Sequence, residues 1–186
     1  MTLLSSKRFD SPLLAEEGEA GGKLMLDSVF RLELPSRYKR YALCVYIAAP
    51  AEPGAVLRLL NVHLDSLDSH IRRFLQTQAL AGVLREPRCI GGIIAGKFDA
   101  ILLKDHRLAD EHKLLDAWVA LHGSTRPDGA TWGVGVGRKG GLKAGRLNKV
   151  AMLGLKPDEI EVLQPGLIEA DRPWSNHCGL RCTFAI

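Results

Sequence analysis

Near its middle the chain runs Gly91-Gly92-Ile93-Ile94-Ala95-Gly96-Lys97-Phe98-Asp99-Ala100-Ile101. A short apolar run bounded by glycines reads as a buried strand, and charges at its end lie where strands deliver side chains to a cleft. The remaining elements are read outward from this strand.

Upstream, residues 1 to 10 read as a short strand and Ser11 to Lys23 as a loop. Strands follow at Ser28 to Leu34 and Tyr41 to Ala48, stopped by Pro35-Ser36 and by Pro50 to Gly54, at spacings typical of an antiparallel meander. In a fourth strand, Val56 to Asp65, the period of two puts Asn61, His63 and Asp65 on one face. A helix capped by Asp68 or Ser69 carries Ile71, Phe74, Leu75, Gln78, Gly82 and Val83 at helical spacing, with Pro87 past its end. Downstream of the central strand, the spacing predicts a helix within Asp105 to Leu121 and strands at Arg146 to Leu153, Glu159 to Leu163 and Cys178 to Ile186.

Composition bounds the class. The 186 residues are 46% hydrophobic and 25% charged, as expected of one folded domain with a sizeable core. No apolar run is long enough to span a membrane, and the first residues lack the pattern of a signal peptide. A formal charge of +4 permits a polyanionic partner without requiring one. Cys44, Cys89, Cys178 and Cys182 match neither zinc-ribbon spacing nor a disulfide framework and read as reduced thiols. They favour an intracellular location, cytoplasmic or nuclear.

Four landmarks recur in order: Asn61-Val62-His63-Leu64-Asp65-Ser66, Gly96-Lys97-Phe98-Asp99, Arg146-Leu147-Asn148 and Ser175-Asn176-His177. Together they resemble the N-T-H-L, G-D-F-N, R-L-D and S-D-H motifs of the endonuclease/exonuclease/phosphatase superfamily, in particular its fungal-type, tyrosyl-DNA-phosphodiesterase-like branch. The resemblance implies an α/β fold, a partial four-layer α/β/β/α sandwich with mostly antiparallel sheets, in one domain spanning 1–186. It also implies that the family's opening segment, which carries a leading metal-binding Glu, is missing here.

The same resemblance assigns the candidate residues. His63, Lys97, Asp99, Asn148, Asn176 and His177 take the catalytic positions; Asn61, Arg73, Trp132, Arg146 and Trp174 take substrate-binding ones. Arg73 with Gln76 or Gln78 matches a family helix motif, although solvation at the surface is the plainer reading of both. Intact members hold Mg²⁺ with carboxylates and use a His-Asp pair to generate hydroxide. Here Lys97, Asn148 and Asn176 replace acidic residues. An ammonium a few ångströms from a dication repels it by several kcal/mol, roughly 4 kcal/mol per pair of unit charges at about 4 Å and an effective dielectric near 20. No metal cofactor is therefore expected, and a Lys97–Asp99 salt bridge is. Asp65 and Asp116 read as a loop hydrogen-bonder and a helix residue.

Three functions follow from these substitutions. The first is a degenerate phosphodiesterase domain, non-catalytic or very weak, that keeps a phosphate or nucleic-acid surface. The second is an enzyme that uses His63, Lys97, Asp99 and His177 without Mg²⁺, and the third is an interaction module whose exposed sheet edge pairs with another copy, as a homo-oligomer, or with a partner. Gly135-Val136-Gly137-Arg138-Lys139-Gly140 matches a dinucleotide fingerprint formally but lacks the strand before and the helix after it. With Lys143, Arg146 and Lys149 it reads as a basic loop.

Overall fold

The computed structural model describes residues 2–11, 23–67, 69–124, 127–134, 143–170 and 172–185. Arg138 and Lys139 of the basic loop, the candidate cap Asp68 and most of the loop from Ser11 to Lys23 lie outside them.

The expected central strand is β5 (Cys89–Lys97), which pairs in parallel with β4 (Val56–His63) on one side and antiparallel with β7 (Asn148–Leu153) on the other. Beyond β4 lie β3 (Tyr41–Ala48), β2 (Leu24–Glu33) and β1 (Phe9–Asp10); beyond β7 lies the two-residue β6 (Leu115–Asp116). These seven strands form one sheet in the order β1-β2-β3-β4-β5-β7-β6. The β2-β3-β4 meander matches the expected spacing, and β3 has the expected bounds. A parallel β4–β5 pair needs a crossover, which α1 (His70–Val83) provides.

Each face of the sheet has its own core. On one, Leu60, Val62, Ile94 and Ala151 pack with Leu80 and Leu84 at the end of α1 and with Ala109 of α2 (Leu108–Glu111). On the other, Leu57, Ile93, Val150 and Met152 pack against Ile160 and Val162 of β8 (Lys156–Leu163) and Leu180, Cys182 and Phe184 of β11 (Gly179–Ala185). β8 and β11 pair antiparallel as a second, smaller sheet, and β9 (Leu167–Glu169) and β10 (Arg172–Pro173) pair nearby in sequence. The described residues thus stack a helical layer, a mixed sheet and a second sheet, an α/β sandwich of the expected kind. All four cysteines are free thiols. No helix among the described residues is long and apolar enough to cross a membrane.

Three expectations need correction. The helix expected within Asp105 to Leu121 is broken into a 3₁₀ turn at Leu103–Arg107, α2, β6 and α3 (Ala117–His122). Lys113 adopts a positive φ of 53° between α2 and β6, which no continuous helix allows, and Asp116 starts α3 by accepting from the Val119 N–H.

The buried face of α1 is also not the apolar one read from the sequence. Ile71 and Leu75 are exposed, while Arg73, Gln76, Thr77 and Leu80 point inward. Arg73 is fully buried, its two terminal nitrogens donating to the Asp65 and Leu67 carbonyls and to Asp105 Oδ2 at 2.7 Å. The surface reading of Arg73 and Gln76 is therefore wrong.

Finally, β4 ends at His63, so Asp65 does not share the face of Asn61 and His63. It is buried, accepts from Ser36 Oγ, the Arg37 N–H and the Gln76 amide, and ties the β2–β3 turn to α1.

Candidate functional site

Strand register builds the site. His63 of β4 stands opposite Lys97 of β5, and Lys97 opposite Asn148 of β7, so three adjacent strand ends form one row of side chains. The next row on the same face is Asn61, Ala95 and Val150. Gly96 lies between the rows with φ +138°, and a Cβ there would come within 2.1 Å of the Val62 carbonyl oxygen. Only glycine lets β4 and β5 approach this closely at the point where Lys97 is delivered.

The opposite wall is held by backbone hydrogen bonding. Trp132 bridges Gly145 and His177, the Cys178 N–H donates to the Thr131 carbonyl, and the Asn148 N–H donates to Thr131 Oγ1. The Asn148 side-chain amide donates to the Cys178 carbonyl at 3.1 Å. An amide suits that position because a carboxylate would oppose the carbonyl oxygen. Asn148 is thus a strut that sets His177 over the row.

Between the walls lies a cavity of about 500 Å³, lined by Asn61, His63, Lys97, Asn148, His177 and the apolar side of Leu180, with Lys149 adjoining. Among the described residues no carboxylate lines it. Asp99 sits just behind at 2% exposure, with φ +50°. Its Oδ1 takes the Lys97 ammonium at 3.2 Å, its Oδ2 accepts from Ser66 Oγ at 2.9 Å, and His63 Nε2 lies 3.3 Å from Oδ2. The expected Lys97–Asp99 salt bridge is present.

Both histidines are pushed toward the neutral form. Burial and the charges of Arg40 and Lys97 hold His63 below its usual range, outweighing Asp99. Burial and Lys97 do the same to His177. Each imidazole therefore keeps one N–H donor and one lone pair near neutral pH, leaving Lys97 as the cation facing the cavity.

Several candidates fall elsewhere. Asn176 is exposed and offers its backbone carbonyl to Gly133, while the His177 N–H donates to Ser175 Oγ, so the substituted S-D-H motif acts here through its backbone. Arg73 belongs to the buried Asp105 cluster on the helical face. Arg146 clamps Asp116 at 2.6 and 2.7 Å and lines a separate hollow of about 750 Å³ beside Leu103, His106 and Val119. Trp132 stitches loops by its backbone, and Trp174 is 65% exposed beside Gly166. None of Arg73, Arg146, Trp132 or Trp174 lines the cavity.

Two contributors carried no clear signal in the sequence. Ser66 lies within the first landmark and holds Asp99, while Arg40 acts on His63 from the distant β2–β3 turn. Only the fold brings that turn to the site.

The residues present do not fit Mg²⁺. It wants an octahedron of hard oxygens with anionic ligands dominant, yet Asp99 has both oxygens engaged, one of them by an ammonium. Among the described residues no group of three His, Cys, Asp or Glu side chains converges to hold a metal.

A two-sheet core with helices outside and a site at the strand ends is the fold of the endonuclease/exonuclease/phosphatase proteins. Solved structures that share this fold include TDP2 proteins. TDP2 from D. rerio, complexed with a single-strand DNA product, superposes with a TM-score of 0.69 at 17% identity, covering 88% of this chain and 69% of that one. An endonuclease/exonuclease/phosphatase family protein from Leptotrichia buccalis gives 0.63 at 14% identity, over 87% and 62% of the two chains. A mannosyl-6-phosphatase from Bacteroides thetaiotaomicron gives 0.62 at 11%, over 88% and 67%. The chain thus spans about two thirds of the length of the proteins it resembles. No family model matches it, and no curated protein matches it in sequence.

Proposed function

We propose that this chain is a degenerate form of the metal-dependent phosphodiesterase fold, which has given up hydrolysis and keeps a cavity for phosphate or nucleic acid. One observation carries the reading: Lys97 and Asn148 stand in the strand-end row where the resembled family has acidic residues, and among the described residues no carboxylate lines the cavity. Hydrolysis needs an activated water and a counter-charge for the leaving oxygen. Neutral His177, with exposed Asn176 beside it in place of the orienting Asp, is a weak base. A DNA product bound to TDP2 and a mannosyl-6-phosphatase activity on the same fold support a phosphate or nucleic-acid ligand.

The test is calorimetry with Mg²⁺ and Mn²⁺ beside hydrolysis of bis(4-nitrophenyl) phosphate. It is run on this chain and on a double variant with Lys97→Asp and Asp99→Asn; Asn148 is left in place because it braces Cys178. The native chain is expected to bind neither metal tightly and to cleave nothing, and the variant to gain metal affinity. Tight metal binding and cleavage by the native chain would sink the reading.

A second reading has one observation in its favour: the salt bridge leaves the cavity open, with His63 and His177 both reaching it. In that reading His63, Lys97, Asp99 and His177 process a phosphoester without Mg²⁺. Turnover that survives EDTA and is lost in His177→Ala would select it.

A further inference from the structure

We propose that the cavity is a metal-independent receptor for a phosphate monoester, with the Lys97 ammonium as the fixed cation that receives it. The proposal rests on the anion-cavity reading above and names its ligand.

The geometry of Lys97 carries it. A lysine kept only for a structural salt bridge would be enclosed with its partner; here the carboxylate is enclosed and the ammonium is not. Asp99 is 3% exposed in its side chain and absent from the cavity wall, whereas Lys97 is 30% exposed and part of that wall. Asp99 therefore holds the ammonium from behind through one oxygen at 3.2 Å and leaves its exposed side to a ligand. Ser66 Oγ fixes the other carboxylate oxygen, so the lysine is mounted on a braced anion.

The surrounding groups match a monoester better than a diester. A monoester presents three terminal oxygens and close to two negative charges near neutral pH, a diester two oxygens and one charge. The exposed side of the ammonium can donate to more than one of these oxygens, and His63 and His177 line the same cavity. His63 is 43% exposed and lines the cavity, with its Nε2 toward Asp99 Oδ2 at 3.3 Å. Both imidazoles face Lys97 and Asp99, and His63 also faces Arg40, so an arriving dianion would favour their protonated forms and gain further donors. A divalent metal is not needed to neutralise the phosphate and would compete with Lys97 for the same place.

The experiment is calorimetry in EDTA with phenyl phosphate, diphenyl phosphate, inorganic phosphate and oligothymidylate with and without a terminal phosphate. Phenyl phosphate is expected to bind about tenfold or more tightly than diphenyl phosphate, the worth of one charge-assisted hydrogen bond. Replacing EDTA by Mg²⁺ should change that affinity by less than about twofold. Lys97→Gln should weaken binding about tenfold or more while Lys97→Arg keeps most of it.

A phosphorylated oligonucleotide binding well above phenyl phosphate would identify the monoester as a nucleic-acid end. Equal binding, with inorganic phosphate close behind, would identify a free phosphate or small ester; both outcomes support the receptor. Binding that requires Mg²⁺, equal affinity for the diester, or no monoester binding at all by the native chain would overturn it. The last result, together with absent metal binding and cleavage, would leave the degenerate-fold reading standing. Tight metal binding with cleavage would remove both.

Discussion

Lys97 and Lys149 sit one register step apart on adjacent strands, Lys97 opposite Asn148 and Lys149 opposite Gly96, and point to opposite faces of the sheet. Lys149 is 2% exposed and lies between Asp116 at 2.9 Å and the His106 carbonyl, with Arg146 sharing the same carboxylate. Burial pulls its ammonium below the usual lysine range despite Asp116, while Lys149 and Arg146 overcome the burial of Asp116 and hold its carboxyl low. That cluster seals its lysine, while Asp116 and Arg146 border the hollow of about 750 Å³. At the other face the anion Asp99 is sealed and the cation is open. The same pair of charges is internal scaffolding in one place and half of a receptor in the other, and the difference is which partner meets solvent.

Removing the anion from the sealed cluster should have the largest effect. Asp116→Ala leaves Lys149 buried and uncompensated, frees Arg146 and deletes the cap of α3. Breaking a buried ion pair from one side typically costs about 3–5 kcal/mol. Urea denaturation is expected to show a loss in that range with the m-value unchanged. A loss under about 1 kcal/mol would mean that water reaches Lys149 and that this cluster is no better sealed than the other.

The corresponding change on the open side should be smaller. Lys97→Met keeps the apolar stem and removes an ammonium that is 30% exposed, while Asp99 keeps Ser66 and its place beside His63. Because Asp99 is buried and loses its cation but keeps Ser66, a stability loss of about 1–3 kcal/mol is expected in the same assay, below that of Asp116→Ala. A loss matching that of Asp116→Ala would make Lys97 scaffolding and remove the basis for a receptor.

The sequence made the sheet and the row of strand ends legible because both follow local patterns. The alternation in Val56 to Asp65 and the glycine-bounded run from Gly91 to Asp99 each mark a strand, and the register aligned their ends. The face of α1 was not legible. Its inward side carries Arg73 and Gln76, whose partners Asp105 and Asp65 lie 32 and 11 residues away, so apolar periodicity favoured the wrong stripe. Asn148 looked like a lost acid; only the fold shows its amide bracing Cys178. Arg146 looked like a substrate contact, and its partner Asp116 stands at the start of a helix too short to recognise by spacing.

The smallest effect is the most discriminating. His63 and His177 have folded pKa values below their usual 6.5, so protonation opposes folding. Their contribution to stability is complete above about pH 6.5 and is lost as pH falls through the lowered folded values. Because both side chains are partly solvated, the stability change should be well under the limit of about 1.4 kcal/mol per pH unit per group. His106 and His112 are lowered as well, so a bulk stability profile blends all four. Resolved imidazole NMR titrations separate them. Lys97→Met is expected to move the midpoints of His63 and His177 upward, since each feels the Lys97 charge. His106, whose charged neighbours are Lys149, Arg146, Asp105 and Asp116, should stay where it is. If His106 moves as far as His63, the charge of Lys97 is felt through the sheet, and the separation of an open from a sealed cluster fails.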